Sequence, residues 1–165
     1  MKNLFPIRTV LGLAALACAL LLGFGYYLQY GQGLQPCPLC LVQRGFFYAV
    51  MAIGVVGAMH GRWARFYGVA GALFAAGGAA TAARQVWLQH LPPDKVPQCG
   101  PDLAFMLENL PLATTLQKLI TGTGKCAVVD WTFLGFSIAE WSLVCFSSIL
   151  VYAIWLAFRP KVLQA

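Results

Sequence analysis

The sequence predicts an all-α membrane protein, a bundle of four transmembrane helices with both termini on the cytoplasmic side and a short amphipathic helix in the second outward loop. Three observations lead there. The 165-residue chain is 60% hydrophobic and only 10% charged, whereas a soluble domain carries about 25% charged residues. Four stretches are apolar over the roughly 20 residues that a helix needs to cross a bilayer. The net charge of +6 collects on one side of the membrane once those stretches are laid out.

The first stretch runs from about Thr9 to Gln29. Lys2 and Arg8 precede it, as in a secretory signal, and Leu16-Ala17-Cys18 faintly suggests a lipoprotein cleavage site. The apolar run continues to Tyr27 and Leu28, however, past the reach of a signal's apolar core, so we read it as a span. The second stretch covers about Leu41 to Met59, the third about Phe66 to Leu88 and the fourth about Phe133 to Phe158. The first three are rich in Gly and Ala, and the fourth adds Ser. Small residues let membrane helices approach closely, which predicts a compact bundle forming a single domain over residues 1–165.

An even number of spans returns both termini to one side. That side and the link between spans two and three hold Lys2, Arg8, Arg62, Arg65, Arg159 and Lys161, with no acid. The other side balances Arg44, Arg84, Lys95, Lys118 and Lys125 against Asp94, Asp102, Glu108, Asp130 and Glu140. The positive-inside rule makes the basic side cytoplasmic. The basic excess is thereby explained, and no nucleic-acid-binding patch remains. Two loops face outward, about residues 30–40 and 89–132. The second is too long to lack structure of its own. Leu103, Met106, Leu107 and Leu110 are spaced for a helix, followed by Leu112, Leu116 and Leu119. Surface amphipathic helices and ordinary loop packing both account for that pattern.

Two of the six cysteines, Cys18 and Cys145, fall within spans, where cysteine generally acts as a small hydrophobe. The other four, Cys37, Cys40, Cys99 and Cys126, fall in the outward loops or at a span's outer edge. A tight Cys-Pro-Leu-Cys ring is a poor staple but suits redox work. Pro36 and Pro38 break the chain there, so Cys40 stands at the N-terminus of span two, facing orphan N–H groups and the positive end of the helix dipole. Arg44 lies four residues further along the same face. Both features favour a thiolate on Cys40. Arg44 alone also reads as a side chain snorkelling to the interface. Cys99 and Cys126 enclose a long segment whose closure by a disulfide contributes about 3–4 kcal/mol, so a structural staple is one reading. The glycines beside them, Gly100, Gly122 and Gly124, suggest an accessible, exchangeable bond instead. Zinc is disfavoured because only one cysteine pair is close. Haem attachment is excluded because Leu41 follows the CxxC where histidine is needed.

Four spans, Cys37-Pro-Leu-Cys40 with Arg44 at the head of span two, and Cys99 and Cys126 in the second outer loop occur here in one order. To them are added Gln85-Val-Trp-Leu-Gln-His-Leu-Pro, Cys99-Gly-Pro-Asp-Leu and Asp130-Trp-Thr-Phe-Leu-Gly-Phe. Over nearly its whole length the chain resembles the DsbB family of quinone-dependent, disulfide-generating membrane proteins. The resemblance implies a bacterial inner-membrane thiol:quinone oxidoreductase with its active cysteines on the periplasmic side. It implies a periplasmic DsbA-like thioredoxin-fold protein as partner, and a quinone, ubiquinone or menaquinone, as cofactor, with no metal or haem. The DsbA–DsbB–quinone chain is known to keep the periplasm oxidising. By the resemblance Cys99–Cys126 is a disulfide that takes electrons from the partner, with Cys99 forming the mixed disulfide. Cys37–Cys40 receives them, Cys40 faces the quinone, and Arg44 and Gln85 help to bind it. Gln85 stands where some members carry a histidine, and His90 is near in sequence but out of register.

Glu140 reads either as a proton route or as an interfacial carboxyl or helix–helix hydrogen bond, and Arg84 and Gln85, from their position alone, either as pocket lining or as interface markers. Trp63, Trp87, Trp131 and Trp155 fall near span ends, as an aromatic belt requires. Three alternatives stand beside the oxidase: a second kind of enzyme, a membrane adaptor, and a small-molecule carrier, which the lack of repeat symmetry and broken helices disfavours. A vitamin K epoxide reductase-type enzyme places its CxxC late in the chain. A stapled membrane adaptor predicts inert cysteines.

Overall fold

The computed structural model describes residues 7–96, 111, 113–114, 122 and 124–158. Within these, helix α1 spans Ile7–Gly31, α2 Pro38–His60, α3 Ala64–Gln89 and α4 Ile138–Phe158. All four are long and apolar enough to cross a membrane. The predicted all-α bundle of four membrane-spanning helices is therefore the observed one. Cys99 and the apolar run read as an amphipathic helix fall almost wholly outside the described residues.

Short links force neighbouring helices to run antiparallel, and the contacts agree. Gly54 of α2 meets Leu11 and Ala15 of α1, and Gly68 and Gly78 of α3 meet Ala157 and Phe146 of α4. The first and last described residues, Ile7 and Phe158, thus lie at the end of the bundle opposite the CxxC.

Two helices show why the bundle is tight. Along α3 the buried positions include Gly68, Gly71, Ala75, Gly78, Ala82 and Gln85, and along α2 Gln43, Phe47, Val50, Gly54 and Gly57. Steps of three and four residues keep each set on one helix face. The small residues let backbones touch: a Cβ on Gly68 would stand 2.7 Å from the backbone nitrogen of Ala157. Large apolar side chains such as Leu20, Leu73 and Val151 point outward instead, the arrangement that lipid rewards. Three buried clusters stack along the bundle. Ile7, Leu11, Ala64, Tyr67 and Leu156 fill one end. Cys18, Leu22, Phe47, Val50, Ala82 and Phe146 fill the middle, where the rings of Phe47 and Phe146 stack at 4.0 Å. Cys37, Leu39, Leu88 and Cys126 close the other end.

Helix α4 begins later than its apolar stretch. Thr132–Phe133 and Phe136–Ser137 form a small antiparallel hairpin, β1 and β2, in register Thr132↔Ser137 and Phe133↔Phe136. Its two turn residues, Leu134 (φ 53°) and Gly135 (φ 84°), are both left-handed, as a tight primed turn demands. The hairpin then delivers Ser137 as a cap. Its Oγ accepts from Glu140 N at 3.3 Å while Glu140 Oε2 accepts from Ser137 N at 2.6 Å. That reciprocal pair is a capping box. Glu140 is thus tied to its own helix end, in keeping with the interfacial reading.

Candidate functional site

Cys37 is the N-cap of α2, with Pro38 at the first helical position, where a missing N–H and a fixed φ do no harm. Its Sγ accepts the backbone N–H of Cys40 at 3.3 Å, the role that serine or aspartate commonly fills. The Cys40 sulfur lies one helical turn on, 2.6 Å from that of Cys37. Leu41 N closes on Cys37 O at 3.2 Å, so the dithiol is held on the rigid first turn.

The returning outer loop reaches the same place. Gly122 has φ 80°, and a Cβ there would meet Leu88 and Leu39 at 2.6 and 2.9 Å. Only glycine lets the backbone press onto those two side chains. The turn Gly124–Cys126 follows and sets Cys126 against Cys37. Cys126 is 0% exposed and Cys37 6%. The accessible Cys126 expected from its neighbouring glycines is not what the structure has: Gly122 and Gly124 are themselves buried, and they serve close packing. The hydrogen bond of Cys37 to Cys126, then that to Cys40, then burial push the Cys37 thiol well above its usual range.

On its other side Cys40 faces a cavity of about 470 Å³ bounded by α1, α2, α3, α4 and the hairpin. Its wall is mainly apolar, including Leu22, Phe24, Phe47 and Trp141, and Cys40, Arg44 and Gln85 converge on it. Volume and lining suit a small-molecule site. Arg44 does not run out to solvent. Its Nη1 donates to Gln29 Oε1 at 2.5 Å, its Nη2 to Gly25 O at 3.0 Å, and its guanidinium lies 4.7 Å from the Tyr26 ring centroid. Gln85 Nε2 donates to Cys40 Sγ at 3.3 Å, and its Oε1 accepts from Gln43 Nε2 at 2.8 Å.

Arg84, by contrast, turns away and stacks over Trp87 at 4.3 Å. His90 folds back on its own helix, with Nδ1 2.8 Å from Val86 O. Cys18 is buried in the middle cluster, whereas Cys145 stands on the cavity wall. Sequence reasoning missed Gln43 and Gln29. Gln43 had a legible signal, since it falls on the buried seam of α2 three residues after Cys40. The Ser137-x-x-Glu140 signature likewise marked the true start of α4.

The sequence profile described as "Disulfide bond formation protein DsbB" matches residues 7–156. The chain belongs to the DsbB family. Among its DsbB relatives, a disulfide bond formation protein B of Azoarcus sp. is 46% identical over 94% of this chain and 95% of its own length. One of Methylococcus capsulatus is 47% identical over 84% and 87%, and one of Hahella chejuensis is 48% identical over 84% and 86%. Membership of DsbB, with four apolar helices, makes this a multi-pass membrane protein of disulfide bond formation.

Proposed function

We propose that the chain is an inner-membrane thiol:quinone oxidoreductase that reoxidises a periplasmic DsbA-like dithiol protein. One observation carries the reading. The sulfurs of Cys126, Cys37 and Cys40 form a continuous path from the returning loop to a cavity that Cys40, Arg44 and Gln85 line. The basic residues Arg8, Arg62 and Arg65 near the opposite end support a cytoplasmic location for that end, and hence a periplasmic one for the cysteines.

In this reading a thiolate of the partner attacks Cys99 of the Cys99–Cys126 disulfide. A mixed disulfide forms and Cys126 leaves as a thiolate. The partner's second thiol displaces Cys99, and the partner departs oxidised. Cys126, packed on Cys37, attacks the Cys37–Cys40 disulfide and releases Cys40. Cys99 then displaces Cys37 from Cys126, which restores the first disulfide and leaves the CxxC reduced. Each exchange breaks one S–S bond and makes another, so two electrons have moved to Cys37 and Cys40.

The cavity fits a quinone ring, with apolar walls for the ring and tail and donors at one end. Arg44 and Gln85 would hold it there. When bound, a quinone supplies an acceptor for the two electrons and two protons of the CxxC dithiol. Cys40 presents its sulfur, Arg44 stabilises negative charge beside it, and the apolar wall excludes water. The test is purified protein in detergent with a reduced thioredoxin-fold dithiol protein, followed by quinone absorbance. Quinone reduction that needs both Cys40 and Cys99 supports the relay. No reduction of ubiquinone or menaquinone, with the cysteines locked in disulfides, overturns it in favour of a stapled adaptor.

A further inference from the structure

Gln43 has no part in the relay above, yet it is 4% exposed and directs its side chain at Gln85, which is equally buried. Uncharged amides are costly inside a bilayer unless paired, and polar groups there commonly serve function. These two sit at the CxxC end of seams otherwise built largely from small and apolar residues. Their pairing has a consequence for Cys40. The Gln85 amide offers that sulfur both of its faces, Nε2 at 3.3 Å and Oε1 at 3.6 Å. A thiol can donate to the oxygen, whereas a thiolate needs the N–H. Which face is presented depends on what holds the far side of the amide. Gln43 Nε2, donating to Gln85 Oε1 at 2.8 Å, ties the oxygen and leaves the nitrogen on the sulfur. Arg44 does not fill this role, since its hydrogen bonds run to Gln29 and Gly25 on α1.

We propose that Gln43 is a positioning residue for the redox chemistry of Cys40. By occupying Gln85 Oε1 it holds the Gln85 N–H on the Cys40 sulfur, so two neutral amides act as one fixed thiolate-stabilising unit. Being neutral, the unit does not itself titrate as the sulfur changes state. The inference rests on the reading of Cys40 as the sulfur facing the acceptor, and it assigns Gln85 to that sulfur in addition to any contact with the quinone.

The experiment uses the full chain in detergent with Cys37, Cys99 and Cys126 replaced by serine, so that Cys40 reports. Its alkylation by iodoacetamide is followed by peptide mass spectrometry, with Cys18 and Cys145 resolved on their own peptides. Gln43→Leu and Gln85→Leu are each expected to slow the reaction at neutral pH about ten- to hundredfold, the range of a hydrogen bond to a charged group. The double variant is expected to be no slower than either single one, because one unit has been removed. Gln43→Glu supplies a readout that a packing role does not move. A protonated carboxyl can donate to Gln85 Oε1 and an ionised one cannot. The variant should therefore show an extra limb in which the observed alkylation rate flattens or falls, through a smaller thiolate fraction, as pH rises through that carboxyl's titration, a limb absent from the parent. If the leucine variants fail to fold, the pH limb carries the test.

Unchanged alkylation in folded Gln43→Leu, multiplying effects of the two leucine variants, or a Gln43→Glu profile without the extra limb overturns the proposal. None of these touches the relay. The relay fails on a different result, quinone reduction by Cys40→Ser.

Discussion

Arg44 Nη2 donates to the carbonyl oxygen of Gly25, 3.0 Å away, so a cation on the second helix is anchored to the backbone of the first. The guanidinium lies close over Gly25: a Cβ there would stand in ordinary van der Waals contact, 3.6 Å from Nη2, so alanine fits and a longer side chain would crowd it. With Gln29 at 2.5 Å taking the other arm, the charge is held at the cavity's edge.

Arg44→Lys is expected to raise the KM for quinone about tenfold with a smaller change in kcat. A lysine keeps the charge but has no planar fork to grip Gln29 and Gly25 together. Steady-state quinone reduction over a range of quinone concentrations checks this. An unchanged KM would reduce Arg44 to a brace between α1 and α2.

Cys126→Ser separates the two halves of the relay. The serine leaves Cys37, Cys40 and the cavity in place but cannot attack a disulfide. Partner-driven quinone reduction should vanish, while reduction driven by a small dithiol that reaches the CxxC directly should persist. Partner-driven turnover in this variant would mean that electrons enter by a route other than the Cys126–Cys37 contact.

Cys37 predicts a pH dependence of known sign. Its thiol is raised above the usual 9.0 by its bonds to Cys126 and Cys40 and by burial. A group raised on folding stabilises the reduced protein fully below its unfolded value and loses that contribution as pH climbs through the folded one. The contribution of Cys37 to the reduced protein's stability, read as the difference from Cys37→Ser, should thus be constant from neutral pH to about 9.0 and be lost only above it. Over the neutral range Cys37 should be alkylated more slowly than Cys40. Peptide mapping and thermal unfolding across that range check both statements, and faster labelling of Cys37 would contradict the first.

The four helices were legible because membrane burial demands long apolar runs, a signal that needs no tertiary knowledge. Cys37, Cys40 and Arg44 were legible because their spacing within one helix brings them together locally. What escaped depended on contacts between distant segments. Cys126 looked accessible because glycine signals freedom in sequence, and only Leu39 and Leu88 beneath Gly122 show that it serves close packing. Gln43 and Gln29 carry no chemistry alone and acquire it from Gln85 and Arg44. The hairpin before α4 was hidden because Leu134 is an unusual left-handed residue in place of the expected Asn or Gly.

Glu140, the acid in the first turn of α4, has a role that one substitution can decide. As a proton route it must ionise, and Glu140→Gln should then slow quinone reduction severely. As the partner of Ser137 it needs only an acceptor for the Ser137 N–H at 2.6 Å, which glutamine also provides in a capping box. The geometry favours the second role, so Glu140→Gln should turn over within about twofold of the parent. Ser137→Ala should lower stability by about 1 kcal/mol, the usual effect of losing an N-cap, and somewhat more here because Ser137 Oγ also donates to Gln89 Oε1 at 2.8 Å and ties α3 to α4. Quinone reduction and thermal unfolding measured on both variants separate the roles. A stable but slow Glu140→Gln would return the carboxyl to the proton path.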